Sequence, residues 1–145
     1  MKIYIASSWR NQLAVELLTM ELRRRGHDVK SFVEQALDDE LVFDDQNWIW
    51  SEQGADKFAF DTDGVILSHL VIYIGPGGKD AMAEVGAAWA NAQVSGLPQI
   101  IGFYAKGEGI GLMQRMMGSW HHSAASLLTR VDELVDEISA FLGKG

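Results

Sequence analysis

Short apolar runs alternate with segments of helical periodicity along this chain. Four runs are short, apolar and rich in β-branched residues, and they predict strands: KIYIA at the start, HDVKSFV, LVIYI at residues 70–74, and the segment 99–104. Longer segments with apolar side chains at helical spacing predict helices over 12–25, 52–68 and 131–143. Strands that alternate with helices predict a parallel sheet with helices on both faces.

Two of the predicted helices carry an apolar stripe that we expect to face the sheet. The stripe of the first helix consists of Leu13, Leu17, Leu18 and Met20, and that of the last consists of Val131, Leu134, Val135, Ile138 and Leu142. Ser8 and Asn11 precede the first helix, and both are candidate N-caps.

Residues 34–54 follow neither pattern. They mix acidic residues with apolar and aromatic ones without a sustained period, which favours a loop that faces a ligand. Trp48 and Trp50 offer flat faces on which a base can stack. The same two side chains would equally suit a lid on the core or a contact between subunits.

Composition narrows the classes of function. A length of 145 residues predicts one domain over 1–145. The chain contains no cysteine, which excludes disulfides and thiol nucleophiles. No run approaches the roughly 20 apolar residues of a membrane span, and the N-terminus lacks the apolar core of a secretory signal, so we expect a cytoplasmic protein without membrane contact.

The net charge of −8 argues against nucleic acid as a partner, because binding to a phosphate backbone needs many Lys and Arg side chains. A small anionic ligand remains compatible with this charge. A helix start and one or two cations, such as Arg10 or Lys79, are enough to hold a single phosphate.

The most informative segment is 70–92, LVIYIGPGGKDAMAEVGAAWANA. It predicts a strand buried on both faces, then a glycine-rich turn, then a helix. Gly75, Gly77 and Gly78 lie at the carboxyl end of that strand, where ligands bind in parallel sheets. Glycine permits close approach of a ligand, and the free amides of the helix start favour negative charge. We therefore predict a ligand pocket at this turn, although its spacing is not that of a P-loop.

Acidic side chains in and before this helix are the candidates for chemistry. Asp80 and Glu84 are four residues apart and share one helix face, so they suit a nucleophile or base beside an acid. The alternative is that both carboxylates only interact favourably with the positive, N-terminal end of the helix dipole. Asp61 and Asp63 could bind a metal, or they could simply end a solvated helix. The adjacent His121 and His122 are only weak evidence for a metal site. We therefore predict no metal site.

Taken together, KIYIASSWRN, the Asp61 segment before an apolar strand, and GPGGKDAMAEVGAAWA resemble the nucleoside 2-deoxyribosyltransferase-like superfamily. That superfamily includes the 2'-deoxynucleoside 5'-phosphate N-hydrolases. The similarity covers the order of elements from residue 1 to about residue 119, and it is sharpest at the strand, the glycine-rich loop and the E-x-G-x-A helix. The resemblance implies a three-layer flavodoxin-like (Rossmann-like) α/β fold with a four- or five-stranded parallel sheet.

The resemblance also implies roles for individual residues. Glu84 of EVGAA takes the place of the nucleophile, which would form a covalent glycosyl-glutamate intermediate with retention at C1'. Asp61 would bind the sugar or help to protonate the leaving base. Ser7, Ser8, Arg10 and Asn11 would contact the substrate, a nucleoside or nucleoside 5'-monophosphate. No cofactor is implied, and family members form dimers or larger homo-oligomers, for which segments 41–50 and 112–120 are candidate contacts.

Some positions depart from the family pattern. GGKDAMAE replaces the D-x-G-T-A-like run of the transferases and leaves Asp80 as the acid nearest to Glu84. Met113 stands where the hydrolases place a phosphate-binding Ser, and Ser119 is a candidate substitute. Two alternatives to the enzyme therefore stay open: a non-catalytic nucleotide-binding or sensing module, and a TIR-like NAD glycohydrolase.

Overall fold

The central sheet has five parallel strands in the order β2-β1-β3-β4-β5. A computed structural model describes residues 1–34 and 49–143. Its strands are β1 (Lys2–Ser7), β2 (Asp28–Ser31), β3 (Leu70–Ile74), β4 (Gln99–Phe103) and β5 (Ser119–His121). The predicted flavodoxin-like α/β fold is confirmed, with the larger of the two expected strand counts.

Strand β3 lies at the centre of the sheet and is buried along its whole length. It pairs with β1 from Ile3↔Leu70 onward and with β4 from Leu70↔Gln99 onward. Its side chains alternate between two cores, with Ile72 in one and Tyr73 in the other. This is the two-sided burial that the unbroken apolar run predicts.

The helices cover both faces of the sheet. They are α1 (Gln12–Arg24), α2 (Glu52–Ile66), α3 (Lys79–Ser95), α4 (Leu112–Met117) and α5 (Ala124–Leu142), with short 3-10 turns at Trp9–Asn11 and Phe32–Glu34. Side chains of α1 and α5 enter the core on one face, and those of α2 and α3 enter the core on the other. None of the described helices is long and apolar enough to cross a bilayer.

The predicted apolar stripe of α1 is wrong at every position except Leu18. Leu13, Leu17 and Met20 are 69%, 56% and 67% exposed. The helix instead buries Val15 and Leu22, with Leu18 packed beside them. Both sets recur at helical spacing, so periodicity alone does not tell which of them faces the sheet.

The ends of the elements differ from prediction by small amounts, except at α5. That helix begins at Ala124, after Ser123 caps it by accepting a hydrogen bond from the Ser126 amide. Its buried face includes Val131, Leu134 and Ile138 as predicted, whereas Leu142 is 49% exposed because it lies in the last turn. Trp48 and most of the predicted 34–54 loop lie outside the described residues.

Candidate active site

A cavity of about 310 Å³ lies between α2 and α3, on the face of the sheet opposite α1 and α5. Three acidic residues singled out from the sequence line it: Asp61, Asp80 and Glu84. A larger cavity of about 380 Å³ lies beside β4 and α5, but no acidic side chain is among the described residues that line it. The cavity between α2 and α3 is therefore the candidate site.

The local sequence explains why Glu84 points into this cavity. Ala81, Val85 and Ala88 are buried against the sheet and fix the rotation of α3. Glu84 then lies on the side of the helix that faces α2. Ala83 and Ala87 flank it on the same wall, and their short side chains leave the volume open.

Glu84 is held in an unusual electrostatic state. Burial raises the pKa of Glu84 to about 8, and the negative charge of Asp61 adds to the effect, whereas Lys57 opposes it. Its Oε2 atom is buried and has no hydrogen-bond partner among the described residues. A buried carboxyl oxygen without a partner is costly unless a ligand or a proton satisfies it. Perturbed carboxyl groups of this kind are concentrated in functional sites.

Tyr4 connects the sheet to the cavity and was missed by the sequence analysis. Its ring is fully buried in β1, and its hydroxyl donates a hydrogen bond to Asp61 Oδ1 at 3.0 Å. Burial, followed by the charges of Glu84 and Asp61, raises the pKa of this phenol, which therefore remains a donor. Gly64 makes room for the ring, since a Cβ there would lie 2.6 Å from Tyr4 Cδ2. A single hydroxyl within KIYIA was the only available signal.

Lys57 is the second functional candidate that the sequence analysis missed. Its Nζ atom donates to Asp61 Oδ2 at 3.0 Å, and the two side chains are only 17% and 16% exposed. Lys57 also lies 5.9 Å from the centroid of the Phe32 ring. The spacing of four residues between Lys57 and Asp61 on α2 was a signal for this pair. Within the described lining of the cavity, an ammonium therefore lies close to the carboxylates.

The predicted contacts of the first loop hold two turns together. Ser7 Oγ donates to the Ile74 carbonyl at 2.6 Å, and Asn11 Nδ2 donates to Ser7 Oγ and to the Pro76 carbonyl, each at 2.9 Å. These bonds join the end of β1 to the turn after β3. They give both side chains a structural role, and their contact with a substrate stays a prediction.

Ser8 and Arg10 lie at the open side of the same loop. Ser8 Oγ accepts a hydrogen bond from the Arg10 amide and so caps the 3-10 turn Trp9–Asn11, not α1, the helix for which this role was predicted. The side chain of Asn11, the other candidate, makes no capping bond to α1. Arg10 is exposed, and its Nε donates to Ser8 Oγ at 3.1 Å. Phosphate binding by Arg10 stays a prediction.

The glycine-rich turn is occupied by side chains of the protein itself. A Cβ at Gly75 would overlap the Glu108 carboxylate, and one at Gly77 would lie 2.5 Å from the Tyr73 ring. The Tyr73 hydroxyl accepts from the Gly77 amide at 2.8 Å and donates to Glu108 Oε1 at 3.0 Å. Gly78, by contrast, faces open space in front of α3. The turn therefore needs Gly75 and Gly77 for its own packing, and ligand contact at all three glycines stays a prediction.

Metal ligands are not assembled in the part of the chain that the structure describes, where no group of three or more His, Asp and Glu side chains could hold an ion. The two adjacent histidines have separate partners: His121 Nδ1 is 2.7 Å from Ser126 Oγ, and His122 Nε2 is 2.8 Å from the Tyr104 hydroxyl. Asp63 is exposed, apart from the cavity of Asp61.

The strand order and the two helical layers define a flavodoxin-like α/β protein with an acidic cavity on one face of the sheet. Neither a protein-family model nor a curated protein matches the sequence. Solved structures do resemble it, although at low sequence identity.

Three of these solved structures resemble the chain over most of its length. A 2-deoxyribosyltransferase from the psychrotolerant bacterium Bacillus psychrosaccharolyticus is 23% identical, with a TM-score of 0.68 over 88% of this chain and 90% of that one. The CMP N-glycosidase BcmB from Clostridium botulinum is 17% identical, with a TM-score of 0.57 over 91% and 98%. A conserved protein from Enterococcus faecalis V583 is 18% identical, with a TM-score of 0.67 over 92% and 98%. These likenesses establish a common fold.

Proposed function

We propose that this protein is an enzyme of the nucleoside 2-deoxyribosyltransferase-like superfamily that cleaves or transfers the N-glycosidic bond of a nucleoside or nucleoside 5'-monophosphate. The observation that carries the proposal is the buried carboxyl of Glu84, which lines a cavity together with Asp61 and whose Oε2 atom has no hydrogen-bond partner in the described part of the chain. The shared fold of a 2-deoxyribosyltransferase and a CMP N-glycosidase supports it.

The chemistry follows from the charge that this reaction develops. Breaking the bond between C1' and the base leaves positive charge on the sugar, and a carboxylate beneath C1' stabilises that charge and can capture it covalently. Glu84 would take this role once it has lost its proton. A low-polarity cavity strengthens the attraction, because the charges inside it are poorly screened. Water as the second nucleophile gives hydrolysis, and a second base gives transfer.

Asp61 would orient the sugar. It is fixed by two donors, Tyr4 and Lys57, so its carboxylate keeps one position before substrate arrives. Such preorganisation lowers the entropic cost of aligning C1' with Glu84. We assign no cofactor to the reaction, because a carboxylate nucleophile and a proton donor suffice for N-glycoside chemistry.

Base release and base exchange test the proposal directly. The protein is incubated with 2'-deoxynucleosides, ribonucleosides and their 5'-monophosphates, with and without a second free base, and products are separated by chromatography. We expect turnover by the wild type, a loss of at least about 100-fold in Glu84→Gln, and normal turnover in the control Asp63→Asn, whose carboxylate is exposed.

Other outcomes point to the alternatives. Binding without turnover in both the wild type and Glu84→Gln would replace the enzyme with a non-catalytic binding module. Release of nicotinamide from NAD, with no action on nucleosides, would indicate NAD glycohydrolase activity.

We also propose that the protein forms a homodimer or a larger homo-oligomer. Exposed apolar side chains support this: Leu112, Met113 and Met116 on α4 are 76%, 67% and 74% exposed. Clusters of large apolar side chains on a surface commonly mark contacts between proteins. Light scattering coupled to size-exclusion chromatography would detect the assembly, and a monomer at micromolar concentration would refute it.

A further inference from the structure

We infer that Lys57 supplies the proton that the departing base takes. The inference rests on the proposed N-glycosidic function and assigns a proton donor within that site. Three ionisable side chains carry the inference, since the Lys57 ammonium, the Asp61 carboxylate and Glu84 line the same cavity between α2 and α3.

Asp61 is poorly suited to give the proton itself. Its two oxygens both accept hydrogen bonds, Oδ1 from the Tyr4 hydroxyl and Oδ2 from Lys57 Nζ, each at 3.0 Å. An ionised carboxylate only accepts hydrogen bonds, and both oxygens of Asp61 are already engaged as acceptors. Glu84 is assigned to C1'. Among the described residues that line the cavity, the Lys57 ammonium lies on α2 beside Asp61, whereas Asp80 lies on α3 with Glu84.

Lys57 is also fixed in place. Its side chain is 17% exposed, its Nζ atom is bonded to Asp61, and it lies 5.9 Å from the centroid of the Phe32 ring. Asp61 thereby acts as a positioning residue that aims an acid.

The proton balance of the reaction is complete with these groups. When the bond between C1' and the base nitrogen breaks, its electron pair stays on the base, a Glu84 oxygen bonds to C1', and one proton passes from Lys57 Nζ to the base. In the second step, water or an incoming base attacks C1', the Glu84 ester bond breaks, and the proton lost by the nucleophile returns to the Lys57 amine.

Leaving groups that differ in their need for a proton test this assignment. An ordinary purine 2'-deoxynucleoside needs one, whereas its N7-methylated form already carries the positive charge and releases a neutral base. We expect Lys57→Met to lower kcat/KM by about 100-fold or more on the ordinary substrate and by less than about 10-fold on the methylated one. Lys57→Arg should behave similarly, because a guanidinium keeps its proton.

The control is Lys30→Met. Lys30 also lies over an aromatic ring, 5.4 Å from the centroid of Phe60, but it lies outside the candidate site and is exposed. This variant should retain wild-type rates on both substrates. Retained cleavage of the methylated substrate also shows that each Lys57 variant is folded.

Equal losses on both substrates, or full activity of Lys57→Arg on the ordinary one, would overturn the assignment of Lys57 while leaving the proposed function intact. A wild type that cleaves neither substrate would overturn the proposed function and the assignment with it.

Discussion

Replacing Glu84 by Gln should stabilise the folded protein at high pH and have little effect near pH 5. The cavity holds the Glu84 carboxyl where its charged form is disfavoured, with a pKa raised to about 8 by burial and by Asp61. In the unfolded chain this group loses its proton at its ordinary pKa of 4.5. Between these two values the folded protein binds one more proton than the unfolded chain, so stability falls as pH rises.

The difference between the pKa values of Glu84 in the folded and unfolded protein sets the size of this change in stability. The pKa of Glu84 is raised from 4.5 to about 8, and each pKa unit corresponds to about 1.4 kcal/mol, so the full loss is on the order of 5 kcal/mol above pH 8. Gln has nearly the same volume and cannot ionise. The wild type should therefore lose free energy of unfolding between pH 5 and pH 9 relative to Glu84→Gln.

Urea denaturation at pH 5, 7 and 9, followed by tryptophan fluorescence, measures this difference. Comparing the two proteins at each pH cancels the titration of every other group that both share. Asp63→Asn, which changes an exposed carboxylate outside the cavity, is the matched control. If the difference between the wild type and Glu84→Gln is independent of pH, the carboxyl is not held in a poorly solvated cavity.

Two further perturbations address the hydroxyl of Tyr4 and the room made for its ring. Tyr4→Phe should raise the pKa of Glu84 further, because the Tyr4 hydroxyl favours the charged form of that carboxyl. In the wild type kcat/KM should rise with pH around a midpoint near 8, and in Tyr4→Phe this midpoint should move to higher pH. An unchanged pH profile would contradict this. Gly64→Ala places a Cβ 2.6 Å from the Tyr4 ring and should lower the free energy of unfolding, measured with urea, by about 1–3 kcal/mol. Gly86→Ala, whose Cβ would have nothing within 4 Å, should raise the free energy of unfolding by about 0.5–1 kcal/mol. Equal effects of the two substitutions would refute this account of Gly64.

Local patterns were sufficient to predict β1 to β4 and the region of the candidate site, whereas β5 was not among the predicted apolar runs. The unbroken apolar run of β3 predicts burial on both faces, and the run-turn-helix order that follows it places α3. The acidic residues of the helix motif were predicted as candidates, and Asp61, Asp80 and Glu84 do line one cavity. Their chemical roles stay predictions.

Contacts between residues distant in sequence were not predictable in this way. Tyr4 and Asp61 are 57 positions apart, and Tyr73 and Glu108 are 35 apart, so only the tertiary fold brings each pair together. Glu108 is a lone acid in a glycine-rich loop, with no pattern to indicate that it packs on Gly75. Tertiary packing likewise decides which of two apolar stripes α1 buries, and it selects Val15 and Leu22.

The most direct measurement of the central claim is covalent trapping. A 2'-fluoro-2'-deoxynucleoside slows breakdown of a glycosyl ester, because the fluorine withdraws electrons from the sugar and disfavours the positive charge that release requires. Intact-mass and peptide mass spectrometry of the treated protein should show one added fluorosugar on the peptide that contains Glu84, and none in Glu84→Gln. An adduct on another residue, or a wild type that turns over nucleosides at the same rate as Glu84→Gln, would contradict a glutamate nucleophile at this position.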